Sequence, residues 1–427
     1  MLEMKLLQIF ALIALIFPQL VVANLELESA IAIAIRNNPN LAKIQARYKA
    51  LAEIPQQVGT LPDPSISLNA MNFPTDSFTR KQEAMTQMQI GLSQALPFPG
   101  KLTLKQRASE FEASAAFHSV HELRHQLISF VKQSWWQAFF LDRAIEVIQT
   151  NQELLRQFLE IASKKYEVGK GLQQDVLLAQ LELSKLLDQE IQLKSMRRQE
   201  SIKLNTLMDI SPDNDVRLPS YSPGKILYAS NEQALYQSAE SSRPILHEKK
   251  SLISAAQSKL DLAKKGYLPD FKLGVVYGFR DGKNPPPRGG ERSDFLSVML
   301  SASMPLYART KQSKEVCQRA EELINRRFDF QDKLTSVRSE ISLALTELNQ
   351  AREQYSLFKT GIIPQAQQTV SSMLAAYQAS EIDFLNLVRS QITLFNYELQ
   401  YWKVFADSKK ALARLTAATG EENIYAE

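Results

Sequence analysis

The chain uses two kinds of hydrophobic spacing. Four short stretches place apolar residues at every second position. In the first, Ile66, Leu68 and Ala70 share one face while Ser67 and Asn69 share the other. In the second, Met88, Ile90 and Leu92 oppose Gln87, Gln89 and Ser93. Phe271, Leu273, Val275, Tyr277 and Phe279 form one face of the third, and Leu296, Val298 and Leu300 alternate with Ser297 and Ser301 in the fourth. A period of two marks a strand with one wet and one apolar side. The pattern predicts strands at about 65–71, 86–95, 271–279 and 294–303, joined in pairs by long polar loops. Such strands suit a wall between lipid and a wet lumen. They equally suit two hairpins packed on a soluble core, and the alternation alone leaves both readings open. Two hairpins cannot close a barrel, so the lipid reading requires several chains that each give four strands.

Elsewhere the spacing is helical. From Leu127 the steps alternate four and three through Val131, Ser134, Ala138, Leu141, Ile145, Ile148, Gln152, Leu155, Leu159, Ala162 and Tyr166. The same rhythm runs from Val337 to Ile362 and from Val388 to Ala406. A sustained seven-residue repeat makes a left-handed supercoil of long helices. Residues 102–165 carry neither Pro nor Gly, so as one helix they would run about 95 Å at 1.5 Å per residue. A rod or a tunnel wall uses that length; a globular core does not.

The whole plan occurs twice. An amphipathic helical segment over 27–54, broken near Asn38–Pro39, has a counterpart over 232–265 with Arg243–Pro244 at the matching break. "LPDPSISL" from Leu61 is echoed by "LPDFKLGV" from Leu268, and "LSQALPFPGK" by "LSASMPLYAR". Pro97, Pro99 and Gly100, like Pro305 in the second copy, read as strand-to-helix hinges. The predicted organisation is a first repeat over 24–210, a linking segment over 211–230, a second repeat over 231–420 and a tail over 421–427. "SWWQAFF" at 134–140 sits within the heptad run and reads as helix packing.

Each repeat also contains a helical reversal: "YEVGKGLQQDVLLAQLEL" from Tyr166 and "YQASEIDFLNLVRSQITL" from Tyr377. Gly169, Lys170 and Gly171 invite comparison with a phosphate loop. That loop follows a strand and needs an earlier Gly and a Ser or Thr after the Lys, and none of these is present here. A helix–turn–helix with Gly as C-cap is the better reading.

Composition places this architecture. Residues 1–23 resemble a secretory signal peptide: Lys5, an apolar run from Leu6 to Phe17, and small residues Val21 and Ala23 before a predicted cleavage site. No Cys follows that site, so a lipoprotein is not expected. Lys plus Arg number 50 against 46 Asp plus Glu, without a basic stripe, which argues against a nucleic-acid partner. The one cysteine, Cys317, leaves a secreted chain to be held by packing. No paired carboxylates, Ser-His-Asp set or CxxC stands in a context that suggests catalysis or a cofactor. His118, His121 and His125 fall on one helical face. They are either a transition-metal site or a polar stripe on a helical wall, and no fourth ligand is evident.

The ordered, duplicated set of motifs resembles the TolC-like outer membrane efflux proteins, the outer membrane factors. It comprises "ESAIAIAIRNNPNL", "LPDP", "LPFPGK" and the two Tyr-led turns followed by "DVLLAQLEL" and "FLNLVRSQITL". "LPFPGK" makes the chain most similar to the heavy-metal branch, the CzcC/CusC type. The resemblance implies a mainly α fold with a small β part. It implies a homotrimer whose duplicated helices form an α-barrel across the periplasm and whose four strands per chain join a 12-stranded transmembrane β-barrel. It implies a non-enzymatic exit duct in the outer membrane, working with a periplasmic adaptor and an inner-membrane pump, RND-type for that branch. A type I secretion duct and a soluble periplasmic scaffold are the alternatives. The resemblance also puts both turns at the periplasmic tip, so that Val168, Gly169, Leu172, Asp175, Ser380, Asp383, Asn386 and Arg389 become adaptor contacts or gate positions. Acidic residues that often ring the mouth in this family fall on Asn386 and Arg389 here, so Glu381, Asp383 or Arg389 must carry any charge at the gate.

Overall fold

The computed structural model describes residues 24–222, 224, 226 and 228–421. The predicted signal peptide lies outside them. Helices α1 (Leu27–Asn37), α2 (Pro39–Ala52) and α3 (Ile54–Gly59) lead into strands β1 (Ser65–Met71) and β2 (Gln87–Leu96). Long helices α4 (Lys101–Glu167) and α5 (Gln173–Leu207) follow. The second repeat gives α6 (Glu232–Ser242), α7 (Pro244–Lys265), β3 (Phe271–Phe279), β4 (Phe295–Ala302), α8 (Gln312–Leu357), α9 (Ile363–Gln378) and α10 (Phe384–Thr419). A π-helical turn, Phe358–Ile362, separates α8 from α9. Pro364 explains it: proline offers no N–H to the preceding turn, and the helix widens so that the Ile363 N–H bonds Phe358 O instead. No helix among the described residues is long and apolar enough to cross a membrane.

The chain forms two compact units, and each draws on both repeats. One contains the described residues up to Ala42, Leu123–Arg243, and those from Val337 onward; the other contains Lys43–Glu122 and Pro244–Ser336. The second unit holds one antiparallel sheet in the order β1-β2-β3-β4. Its register lines up the alternation of all four strands. Ile66, Leu92, Val275 and Val298 form one cross-strand row, and Leu68, Ile90, Tyr277 and Leu296 the next. These side chains are exposed, Ile66 to 77% and Leu68 to 74%, and nothing in the unit covers them. A face of this kind is unusual for a protein in water.

The opposite face is more polar, and it is crowded along the two central strands, β2 and β3. Its rows are Ser65, Ser93, Gly274 and Met299; Ser67, Gly91, Val276 and Ser297; Asn69, Gln89, Gly278 and Phe295. A Cβ at Gly91 would come within 2.7 Å of Ser67 Oγ and 3.0 Å of Val276 Cγ2. Crowding on one side and openness on the other is what inward curvature produces, and glycine is the residue that permits it. In the sequence of the four strands Lys272 is the one charged side chain, and it lies on this face.

The first unit is helical. Phe139 and Phe405 are fully buried and meet Trp135, Trp136, Trp402 and Tyr355 in an aromatic cluster, which bears out the packing reading of "SWWQAFF". Tyr221 of the linking segment stands edge-on to Trp136, 5.2 Å between centroids. That segment is pinned again where Arg197 pairs with Asp142 at 2.6 Å and donates to Val216 O at 2.8 Å. The two polar residues of the heptad seam are also satisfied. Ser134 Oγ donates to Glu200, and Gln152 donates to Glu190 at 2.8 Å. Lys194, then Gln149 and Gln152, hold the Glu190 carboxyl down to about 2. Polar seam residues of this kind cost stability and specify register.

Candidate functional site

The two helical reversals lie side by side in the first unit and share a core. Each closes on the same backbone device. In the first, the Lys170 N–H bonds Lys165 O at 2.8 Å and the Gly169 N–H bonds Tyr166 O at 3.0 Å, with Gly169 at φ 69. In the second, the Glu381 N–H bonds Ala376 O at 2.9 Å and the Ser380 N–H bonds Tyr377 O at 3.0 Å, with Ser380 at φ 64. Both are Schellman motifs, whose left-handed position favours glycine. Ser380 occupies that position with a side chain. Ser380→Gly is therefore expected to relieve about 1 kcal/mol of backbone strain, partly offset by loss of the solvent-exposed Lys165 bond to Ser380 Oγ, with the net gain observable as slower amide exchange at residues 376–381.

Below the turns, Leu155, Phe158 and Ala162 of α4 and Ala179 and Leu186 of α5 pack with Tyr377, Phe384, Leu387, Val388 and Phe395. Two links join the tips above this core. Lys165, in the last turn of α4, donates to the Tyr377 carbonyl and, at 3.0 Å, to Ser380 Oγ. Its ammonium lies 4.3 Å from the centre of the Tyr377 ring. A cation there satisfies the carboxyl end of α9 and meets the ring face. The second link is Asp175 of α5, whose carboxyl faces the Tyr377 phenol. Tyr377 Oη is buried without a fully formed hydrogen bond. Burial first, then the Asp175 charge, pushes the phenol up to about 12. Burial also raises the Asp175 carboxyl above the usual range; Asp383 adds to this, while Lys165 and Tyr377 oppose it. Tyr377 is thus the centre of a clasp between two hairpins, with its ring against Phe384 at 5.1 Å.

The structure places the sequence-derived residues in two groups. Asp175, Ser380 and Asp383 belong to the clasp. Val168 and Leu172 are 67% and 58% exposed at the first turn, beside Gly169. Asn386 and Arg389 are exposed on α10, and Arg389 makes no ion pair with the described residues. Lys165 and Tyr377 carry the clasp; the sequence marked Tyr377 only as the first residue of the second turn motif and did not single out Lys165. A lysine one turn before a glycine C-cap was the available signal. The histidines read differently. His118 stacks on His247 of α7, 5.3 Å between centroids, and His121 meets Phe117. Among the described residues no group of three or more His, Cys, Asp or Glu is arranged to hold a metal. His118, His121 and His125 belong to no such group, and His118 is half-buried against a partner from the other repeat.

A sheet with one lipid-compatible face and one wet face, carried with paired helical hairpins, is the fold of outer-membrane channels. The chain belongs to the outer membrane efflux protein family: the family's sequence profile matches residues 30–208 and 235–421, the two repeats in turn. It is 20% identical over 416 residues to the cobalt-zinc-cadmium resistance protein CzcC of Cupriavidus metallidurans, spanning 95% of this chain and 92% of that one. Solved structures share the fold. The outer-membrane channel OprN superimposes with a TM-score of 0.78 at 15% identity over 92% of this chain and 89% of its own. CusC does so with 0.76 at 15% identity over 93% of each chain.

Proposed function

We propose that this protein is the passive exit duct of a tripartite efflux system: a homotrimer in the outer membrane, extending into the periplasm, whose three sheets close a 12-stranded barrel. The helical tips meet a periplasmic adaptor and, through it, an inner-membrane pump of the RND type. Val168, Gly169, Leu172, Asp175, Ser380, Asp383, Asn386 and Arg389 supply adaptor contacts and the gate. The observation that carries this reading is the sheet itself. Its apolar rows are in register across four strands, its other face is more polar and carries one charged side chain per chain, and its two edges are open. Metal ions are the proposed cargo, supported by the resistance named for the CzcC relative.

The wet face carries hydroxyls, amides and glycines beside Val276, Met299 and Phe295, with Lys272 as its single charge, so cargo would pass without being held. Rings of charge set ion preference in such pores. Purified protein in planar bilayers is expected to conduct, and Lys272→Glu to move the reversal potential toward cation preference under a salt gradient. Absence of any conductance, together with recovery of a soluble monomer from the periplasm, would overturn the duct and leave the scaffold reading.

A further inference from the structure

The duplication makes a testable statement about the open edges of the sheet. The pairing of β1 with β2 recurs residue for residue between β3 and β4. Ile66↔Leu92 becomes Leu273↔Leu300, and Leu68↔Ile90 becomes Val275↔Val298. The junction between the repeats, β2 with β3, has no second copy inside the chain. It pairs Gln94↔Leu273, Ser93↔Gly274 and Leu92↔Val275. It is also locked beyond the strands. Lys101 Nζ, of "LPFPGK", donates to Asp270 Oδ1 and to Leu268 O, both at 2.9 Å, and the Phe98 N–H donates to Asp270 Oδ1 at 2.7 Å.

Every group in that lock has an equivalent at the outer edges. Asp63 of "LPDP" matches Asp270, and Arg309 of "MPLYAR" matches Lys101. Among the described residues neither Asp63 nor Arg309 makes an ion pair or a side-chain hydrogen bond. Lys101 is buried whereas Arg309 is exposed. Met304 and Leu306, equivalent to the half-buried Leu96 and Phe98, are 75% and 80% exposed. These groups are built for a junction that one chain does not complete.

In the proposed 12-stranded barrel β4 of one subunit meets β1 of the next; we propose that this seam copies the register of β2 with β3, and that Arg309 bonds Asp63 of the partner subunit. The copied register puts Ala302 opposite Ile66 of the partner subunit, Ser301 opposite Ser67 of the partner subunit, and Leu300 opposite Leu68 of the partner subunit. Apolar positions then meet apolar ones and wet positions meet wet ones. A one-residue slip would reverse that. The contact is head-to-tail and closes only as a ring. The inference rests on the proposed trimer and deepens it.

Two experiments test it on protein purified from the outer membrane. In a Cys317→Ser background, Ser67→Cys with Ser301→Cys is expected to yield a covalent trimer on oxidation, because direct cross-strand partners lie within disulfide reach. Ser65→Cys with Ser301→Cys, two residues out of register, is expected to link poorly. If the second pair links in place of the first, or neither links although an intact trimer is present, the register is overturned. Recovery of a monomer overturns the trimer as well. For the ion pair, Arg309→Asp or Asp63→Arg alone is expected to lower the heat-resistant trimer fraction, by about tenfold if the site is as enclosed as that of Lys101. The combined exchange is expected to restore it. Loss without rescue in the double variant overturns the pair.

Discussion

Ile90→Arg is expected to prevent stable assembly in the outer membrane, while Gln89→Arg at the adjacent residue leaves assembly nearly intact. Ile90 lies in the apolar row with Leu68, Tyr277 and Leu296; Gln89 lies in the wet row between Asn69 and Gly278. An arginine facing lipid near the bilayer midplane costs about 2–4 kcal/mol, and near zero where it reaches water. A trimer would meet that cost three times. The Gln87 side chain lies over Gly278, so the longer side chain at 89 is accommodated by extending toward the wet side. The comparison reads out as the heat-modifiable trimer in the outer-membrane fraction and as the urea midpoint after refolding into liposomes. Equal behaviour of the two variants would mean that the apolar face does not meet lipid, since a soluble sheet would tolerate an exposed arginine on either side.

Tyr377→Ala is expected to open the duct. The ring is buried against Phe384 and beneath the Lys165 ammonium, and its phenol faces Asp175. Truncating a buried aromatic costs about 3–5 kcal/mol. If opening separates the hairpins, most of that cost falls on the closed state alone. A bias of about 3 kcal/mol shifts a two-state population more than a hundredfold, so single-channel open probability should rise steeply. Lys165→Ala should act in the same direction and more weakly, because its contacts are partly solvated.

The clasp also predicts a pH response. Burial raises the Asp175 carboxyl, with Asp383 adding to it, so the clasped state prefers the neutral acid. That contribution is fully present below the ordinary Asp value of about 3.9 and is lost as pH rises through the raised one. Conductance should therefore fall in acid, and Asp175→Asn should flatten the profile near its closed end. Tyr377, pushed up to about 12, stays a neutral phenol throughout. An Asp175→Asn channel with unchanged pH dependence would remove the carboxylate from the gate.

Much of this architecture is legible in local pattern. A period of two over 65–71 and the heptad steps from Leu127 identify their elements because the side-chain repeat of a strand or helix is geometric and needs no distant partner. The duplication, the Gly169 turn and the hinge prolines are legible for the same reason. The clasp is not. Lys165 and Tyr377 meet across more than two hundred residues; Tyr377 leads a repeated motif, but nothing in either turn says that the two will meet. Asp175 carries no sign that it will be partly buried, and the shift of its carboxyl arises first from that burial. The histidines show the converse. Their spacing on one helix is regular, but metal binding needs convergence from several directions. The fold instead places His247 against His118 and gathers no ligand set among the described residues. Periodicity along the chain set the elements, the repeats and the two faces of each strand. Which faces align, which charge meets which ring, and which edges stay open were set by packing between segments far apart in sequence, where burial and proximity, absent from any local pattern, determine the chemistry.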